Sequence, residues 1–383
     1  MITGVRGTGN ITQAKRVIDM SSKISVLEPD SAPLTQLTKK LDKRVAINPK
    51  FNWLEEESLV KVDAVNYATN YTSGATAIIV DDESIFRAGD VVKDVDTGEQ
   101  LLVTGVSSVD SSITVRRGWG TTVATTVSDD DVLLIVGNTS PEGAGKRVFK
   151  TSQEAEKTNY TGIFRTPFGA TDTNMNSEMY GGKDLVHVRM MQMIEHQKEI
   201  ERGFLWGEPK EDTSNDDHPR RYTGGLNYWI TSNVTADING TLTETEFEAF
   251  LRSGFRYGSK TKFLLAAPIY VSAISTWARG KLYMLPKDKT YGISITQYLS
   301  PHGTVNIINC PLFDEVSTYG GYAFLVDLES IAYRFLSNRD TRLKTHIEDN
   351  DADGEEDEYL TEAGFELKSQ KKCSKMTGVT AFS

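Results

Sequence analysis

Apolar positions along this chain recur at short intervals, and their period changes several times. Residues 10–27 mix helix-compatible and extended patterns. Pro29 and Pro33 then bracket a turn in LEPDSAP, and Leu34, Leu37 and Leu41 follow at 3–4 spacing. This predicts a short helix capped by Asp30 or Ser31, whose side-chain oxygens can accept from the free N–H groups of a first turn. Pro49 ends that stretch. FNWL, LVKVDAV and TAIIV read as extended segments before the acidic turn Asp81–Asp82–Glu83. From about 84 to 137, runs of Val, Ile, Leu and Thr are split by Asp-Thr-Gly, Gly105, Gly118 and Gly120. That pattern predicts a compact antiparallel β unit of four to six strands, closed or nearly so, inserted into a larger domain.

Loop-rich residues 138–182 precede the clearest helix pattern, from Asp184 to Trp206. Val186, Met190, Met193 (or Ile194), Ile200 and Phe204 recur at helical spacing, with Arg189, Gln192, Glu195, Lys198, Glu199 and Glu201 on the complementary face. Such a helix is about 35 Å long and would serve as a spine for other elements. After a charged loop over 207–223, helix and strand alternate. Thr243 with Glu246 makes a capping box. Phe247, Phe250, Leu251 and Phe255 line one face, and Gly258 is placed to end the helix. KFLLAA reads as a buried strand, and Pro268 can open a helix running to Arg279. ISITQYL, TVNIINCPLF, YAFLVDL and IAYRFL read as further strands of a mixed α/β unit. In 341–383, TRLKTHI and EYLTEAGFELK read as strands around an acidic tip.

Composition adds a charge asymmetry. The 383 residues carry a net charge of −11, with 38% hydrophobic and 25% charged residues, which fits two or three folded units. The acidic balance argues against a surface devoted to nucleic acid. Yet residues 1–50 hold nine Lys/Arg and four Asp/Glu, so a basic arm precedes an acidic body. Arg6, Lys15, Arg16, Lys23, Lys39, Lys40, Lys43 and Arg44 can contact nucleic acid or acidic neighbouring subunits. The apolar spacers Ile18, Met20, Ile24, Val26 and Leu27 favour docking over a loose solubilising tail. No pattern in this arm closes a core of its own. Residues 1–20 lack the apolar centre of a signal peptide. The longest apolar runs, Val132–Val136 and Phe263–Ala267, are too short to cross a bilayer, so no membrane partner is expected. Cys310 and Cys373 make no disulfide framework and read as ordinary thiols.

Few positions suggest chemistry. Asp349, Asp351, Asp353 and Gly354 match positions 1, 3, 5 and 6 of a calcium loop, but position 12 is Leu360 rather than Glu. The flanks read as strands, which favours a solvated hairpin tip. GFRYGSKTK over 254–262 has phosphate-loop ingredients in the wrong spacing, and it follows a helix where a phosphate loop follows a strand. His187, His196, His218, His302 and His346 form no HExxH motif, and no cysteine pair has zinc spacing. Surface or interface roles are expected for them. Glu195 and Glu199 read as a charged outer face, and Met190, Met191 and Met193 as packing. No GxSxG turn occurs. The expectation is a protein that is not an enzyme, with no catalytic, cofactor-binding or metal residues.

The order of parts then becomes informative. A basic arm, a β excursion carrying an inserted β unit, a long spine helix, a mixed α/β domain and closing strands follow one another. Together with RVIDMSSKISVLEPDSAPLTQLTKKL, FNWLEEE and RRGWGTTVA, this order resembles the major capsid (major head) protein of tailed bacteriophages, whose fold is shared with encapsulins. The resemblance implies an α+β capsid fold. Residues 1–50 would be the N-terminal arm. Residues 51–83 and 138–183 would hold the extended loop and peripheral-domain strands, with 84–137 as an inserted, barrel-like β domain. Residues 184–221 would be the spine helix and following loop, 222–340 the axial α/β domain, and 341–383 the closing peripheral strands. Some members cross-link through Lys and Asn; the closing segment has only Asn350, in the acidic tip, so no cross-link is expected. The implied function is self-assembly into hexamers and pentamers that form an icosahedral head around double-stranded DNA. The implied partners are copies of itself, scaffold, portal and decoration proteins, and packaged DNA through non-specific contact. Assembly would occur in the host cytoplasm and the product would be the virion. The alternatives are an encapsulin-like compartment, or a tail or adhesion protein whose inserted β unit binds.

Overall fold

The computed structural model describes residues 32–41, 43–177, 184–214, 217–237, 239–281, 284–286 and 296–383. The expected capping residues Asp30 and Ser31, and the basic positions before residue 32, lie outside the described residues. The chain divides into two compact units, one over Leu54–Glu156 and one containing the rest.

The larger unit is built on two sheets that share one apolar core. The first has five strands. Lys43–Ala46, Ile331–Leu336, Gly354–Leu367 and Gly162–Thr171 lie in that order, and Arg342–Lys344 also pairs with the long strand Gly354–Leu367. Lys43–Ala46 runs parallel to its neighbour and the other pairs are antiparallel. Side chains alternate across a strand, and the long strand uses both faces. Asp357, Thr361 and Phe365 meet the helix Asp184–Trp206, the expected spine. Glu358, Glu362 and Glu366 point to the opposite face.

The spine helix has the expected limits but a different buried stripe. Leu185, His196, Ile200 and Phe204 are buried, whereas Val186 and Met190, expected to face the core, are 61% and 50% exposed. Glu201, expected on the outer face, is completely buried. The reason is buried polar content: the helix turns Arg189 and His196 toward polar groups of the sheet and Glu201 toward the amides of Leu34 and Thr35, and apolar residues face outward in exchange.

The arm also differs from expectation. Pro33–Leu41 is a helix with proline at its first position. Leu34 and Leu37 are buried in the same core as Phe204 of the spine helix. The strand Lys43–Ala46 completes the edge of the five-stranded sheet. Residues 32–46 therefore gain their burial within their own subunit.

The second sheet has seven strands, in the order Val234–Ala236, Ser374–Thr377, Ala323–Val326, Thr261–Ala266, Gly303–Asn309, Thr296–Ser300 and Met284–Pro286. The strand Ser374–Thr377 inserts between two strands of the α/β region, and Ala381–Phe382 pairs with Thr241–Leu242. Conversely, Ile331–Leu336 joins the sheet of the long strand. The expected boundary at 340 is thus interleaved in space. The helix Glu244–Gly254 carries the expected capping box, with Thr243 Oγ1 accepting from Glu246 N and the Glu246 carboxylate accepting from Thr243 N at 2.8 Å. It ends at Gly254 rather than at Gly258. Gly258 instead supplies a left-handed turn, with φ +85°.

That turn surrounds a buried cation. Lys262 is fully buried, and its Nζ donates to Gly254 O and Tyr257 O, each at 2.7 Å, and to Lys372 O. The ammonium neutralises the carbonyl end of the helix, where the dipole favours positive charge. It joins the helix end, the turn and the short 3-10 helix Gln370–Lys372 that precedes Ser374–Thr377.

The smaller unit is a six-stranded antiparallel sheet in the order Val62–Ala64, Val132–Asn138, Asp90–Asp94, Gln100–Ser107, Ser112–Arg116 and Ala77–Ile79. Asn66 N donates to Ile79 O and Asp81 N to Ala64 O, both at 3.1 Å, which joins the outer strands into a small barrel. The unit begins well before residue 84 because its core needs Val65, Ile78 and Val80 beside Val92, Leu101 and Ile113. Arg117, in the RRGWGTT phrase, pairs with the buried Glu99 through Nε at 2.9 Å and Nη2 at 2.8 Å, and donates to Thr72 O.

Lys262→Met keeps the volume but leaves three carbonyls, that of the buried Gly254 among them, without their donor. It is expected to lower unfolding stability by about 3 kcal/mol, read as an earlier midpoint in urea with an unchanged slope.

Candidate functional site

The residues that sequence reasoning singled out for chemistry are scattered. Asp349, Asp351 and Asp353 sit in an exposed turn. Leu360, at the twelfth position of the calcium pattern, is locked into the long strand and buried. Among the described residues no group of three or more His, Cys, Asp or Glu could hold a metal ion. In the GFRYGSKTK segment, Ser259 N already donates to Asp327 Oδ2 at 2.9 Å. A carboxylate therefore occupies the place where a phosphate would need a free N–H. Cys310 and Cys373 are both buried and unbridged, and burial pushes both thiols up. A hollow of about 340 Å³ is lined by Arg202, Trp206, Tyr222, Leu312 and Tyr319. Its one cation, Arg202, is tied to Glu195 at 3.1 Å and Glu315 at 2.8 Å. The hollow offers no nucleophile with an adjacent base.

The geometry that the chain does build is an ionic spine along Gly354–Leu367. Asp357, Glu358, Glu362 and Glu366 are each at most 5% exposed. Burying a carboxylate is costly unless it is paired and hydrogen-bonded, and every one is. Arg189 reaches Asp357 with Nε and Glu355 with Nη2, both at 2.6 Å. Glu358 meets Arg165 Nη2 at 3.0 Å and Lys344 at 3.5 Å. Glu362 meets Arg339 and accepts from Thr161 Oγ1 at 3.2 Å. Glu366 gathers Arg44 at 3.4 Å, Lys368 at 3.3 Å and Arg334.

Two further devices connect the spine helix. Glu201 accepts from Leu34 N at 2.8 Å and from Thr35 N and Thr35 Oγ1 at 2.6 Å. It thereby takes up free amides of the first turn of Pro33–Leu41, a capping role supplied from 167 residues away. His196, expected at a surface or interface, is buried on the spine helix and bridges two neighbouring strands of the sheet. Its Nδ1 lies 2.8 Å from Thr166 Oγ1 and its Nε2 2.7 Å from Thr361 Oγ1. Thr166 Oγ1 also donates to Glu199 at 3.0 Å. The other histidines are half-buried or exposed.

Comparison with known proteins places these features in a family. A family model described as SU10 major capsid protein matches residues 3–380. A major capsid protein of Pseudomonas phage PaMx41 is 22% identical over 329 residues, which are 82% of this chain and 78% of that one. A solved structure from Mycobacterium phage Bobi aligns at TM-score 0.54 and 7% identity, covering 98% of this chain and 99% of that one. The capsid of a native GTA particle aligns at TM-score 0.51 and 7% identity, covering 97% and 98%. At such identities the structural likeness concerns the fold, and the α+β fold here is of the phage-capsid type.

Two outcomes follow for the clamps. Glu201→Ala should open the first turn of Pro33–Leu41, accelerating amide exchange at Leu34 and Thr35 roughly 30-fold, the equivalent of about 2 kcal/mol. The hydrogen bond from Arg165 holds the Glu358 carboxyl below its usual range. Its contribution to stability is therefore complete above the unfolded value, about pH 4.3, and is lost as pH falls through the lower folded value. Urea midpoints measured from pH 6 to pH 3 should show that loss, and Glu358→Gln should flatten the slope.

Proposed function

Because the chain belongs to the SU10 major capsid protein family, we propose that its copies associate into hexamers and pentamers and close into an icosahedral bacteriophage head around double-stranded DNA. The observation that carries this reading is the family match over residues 3–380. The family is one of structural proteins, which accords with a chain whose polar residues are spent on internal ion pairs rather than on a reacting centre.

In this reading the spine helix and the five-stranded sheet form the peripheral part of the subunit, and the seven-stranded unit surrounds the capsomer axis. Apolar side chains left at the surface, such as Val186, Met190 and the 89% exposed Ile47, gain burial against neighbours. Assembly and stability are then coupled by mass action. Residues 1–31 act as a tie between subunits. Scaffold, portal and decoration proteins, and non-specific contact with packaged DNA, complete the partner set. Assembly takes place in the host cytoplasm and the product is the virion shell.

Electron microscopy of the concentrated, purified protein tests this reading. Isometric shells or ring-shaped capsomers are expected, and a stable monomer at high concentration would overturn it. The tie is tested separately by removing residues 1–31. The cut belongs before Ala32, because a longer deletion would take Leu34, Leu37 and the edge strand from the subunit's own core. The truncated chain is expected to stay folded and fail to form shells. Normal shells from it would remove the arm from the assembly mechanism.

A further inference from the structure

The face of the five-stranded sheet that points away from the spine helix carries an unusual layering of charge. Glu358, Glu362 and Glu366 lie at the bottom, with side chains at most 6% exposed. Their cationic partners lie above them, between 20% and 61% exposed. Six cations cover three carboxylates. Arg342 adds a seventh positive group, since it stands in register with Leu360 and, through it, with Arg165 on the same face. It is exposed and makes no ion pair among the described residues. What this face offers outward is therefore a cluster of guanidinium and ammonium groups on a chain whose net charge is −11.

We propose that this sheet face is a docking surface for a second copy of the chain, and that the second copy engages it through the acidic turn at 349–353. The inference rests on the capsid reading above for the existence of copy-to-copy contacts. Charge complementarity selects the occupant. Asp349, Asp351 and Asp353 are exposed and make no ion pair among the described residues. The neighbouring Asp172 carboxyl is pushed up, by desolvation first and then by the nearby Asp353, Glu348 and Glu355, so the surroundings of the turn are acidic as well. Both surfaces thus carry uncompensated charge of opposite sign in the isolated subunit.

The geometry of such a contact has a consequence. The acidic turn and the basic face are different patches, one at the start of Gly354–Leu367 and one along it. Two copies joined through a single turn and a single face leave one free turn and one free face. Such a contact is heterologous, and repeated contacts of that kind close into rings when the rotation permits, whereas reciprocal pairing of both turns with both faces would give a two-fold dimer. Long-range attraction between the patches also speeds encounter and fixes register, and it weakens as salt shortens the screening length.

A charge exchange tests the proposal, with association followed by sedimentation and electron microscopy at low salt. Asp349→Lys/Asp351→Lys alters only an exposed turn. Arg342→Glu/Lys344→Gln alters the face while leaving Arg165 on Glu358, and Arg342→Glu alone serves if that double variant melts early. Each set by itself is expected to raise the protein concentration needed for association by about 10-fold or more. Combining turn and face sets should restore association toward the wild-type level. A turn variant that associates like the wild type overturns the proposal, and so does a combination no better than its parts. Loss of binding to a DNA duplex by Arg342→Glu, with association intact in the turn variant, would assign the face to a polyanion instead. Failure of the wild type to associate at all would count against the capsid reading itself.

Discussion

Four buried carboxylates on one strand are the constraint from which the larger unit follows. Asp357, Glu358, Glu362 and Glu366 cannot be taken from water unpaired. Their partners come from distant parts of the chain: Arg44 in the first described strand, Arg165 across the sheet, Arg189 on the spine helix, and Arg334, Arg339, Lys344 and Lys368 around the strand itself. The Arg44–Glu366 pair alone spans 322 positions. These pairs fix register as well as energy. A one-residue slip would turn Glu358, Glu362 and Glu366 toward the helix and Phe365 toward solvent.

The spine helix is phased by the same constraint. A helix facing an apolar sheet would present an unbroken apolar stripe. This one faces a sheet whose inward side holds Asp357 and Thr361 among Phe365 and Leu367, so it turns Arg189 and His196 toward them. Glu201 extends the logic by a further step, since its buried carboxylate needs donors and the first turn of Pro33–Leu41 supplies three. The arm helix is held by Leu34 and Leu37 in the core and by this carboxylate at its end. Val186 and Met190 are left outside as the geometric remainder.

What could be read from sequence was local. The capping box at Thr243 and Glu246 lies within four residues, Pro268 opens its helix by restricting one dihedral, and Thr261–Ala266 is apolar enough to be a strand in any setting. The limits of the spine helix were legible for the same reason. Its phase was not, because the stripe depends on residues some 165 positions away. The barrel's extent was misjudged because Val65 and Val80 form an isolated bridge just past the three-residue strands Val62–Ala64 and Ala77–Ile79, and only closure of the sheet reveals their place in its core. The strand Ser374–Thr377 is four residues long and polar at its start, so nothing in SKMT announces a position between two strands of the seven-stranded sheet. Among chemistry-bearing residues, the GFRYGSKTK segment has Ser259 N on Asp327, and its Lys262 has a role that spacing could not disclose.

Charge counted along a chain is not charge on a surface, and the basic arm makes the point. Lys43 and Arg44 contribute to the positive balance of residues 1–50, yet Lys43 is bound to Asp340 at 2.7 Å and Arg44 leans on Glu366. The charge of Lys43 is spent within the subunit, and Arg44 lies over a buried carboxylate. The positive surface that survives folding gathers around a strand whose own sequence is acidic. Gly354–Leu367 has six acidic residues in its fourteen, and it underlies a basic sheet face because Glu358, Glu362 and Glu366 are buried and their partners are not. The layering follows from side-chain length: a glutamate rooted in the sheet is reached by an arginine or lysine long enough to lie over it, with its aliphatic stem on the sheet and its charged end still wet. A strand rich in acid can in this way present a positive face, whereas its exposed turn, with aspartates and no long cation to cover them, keeps the sign of its sequence.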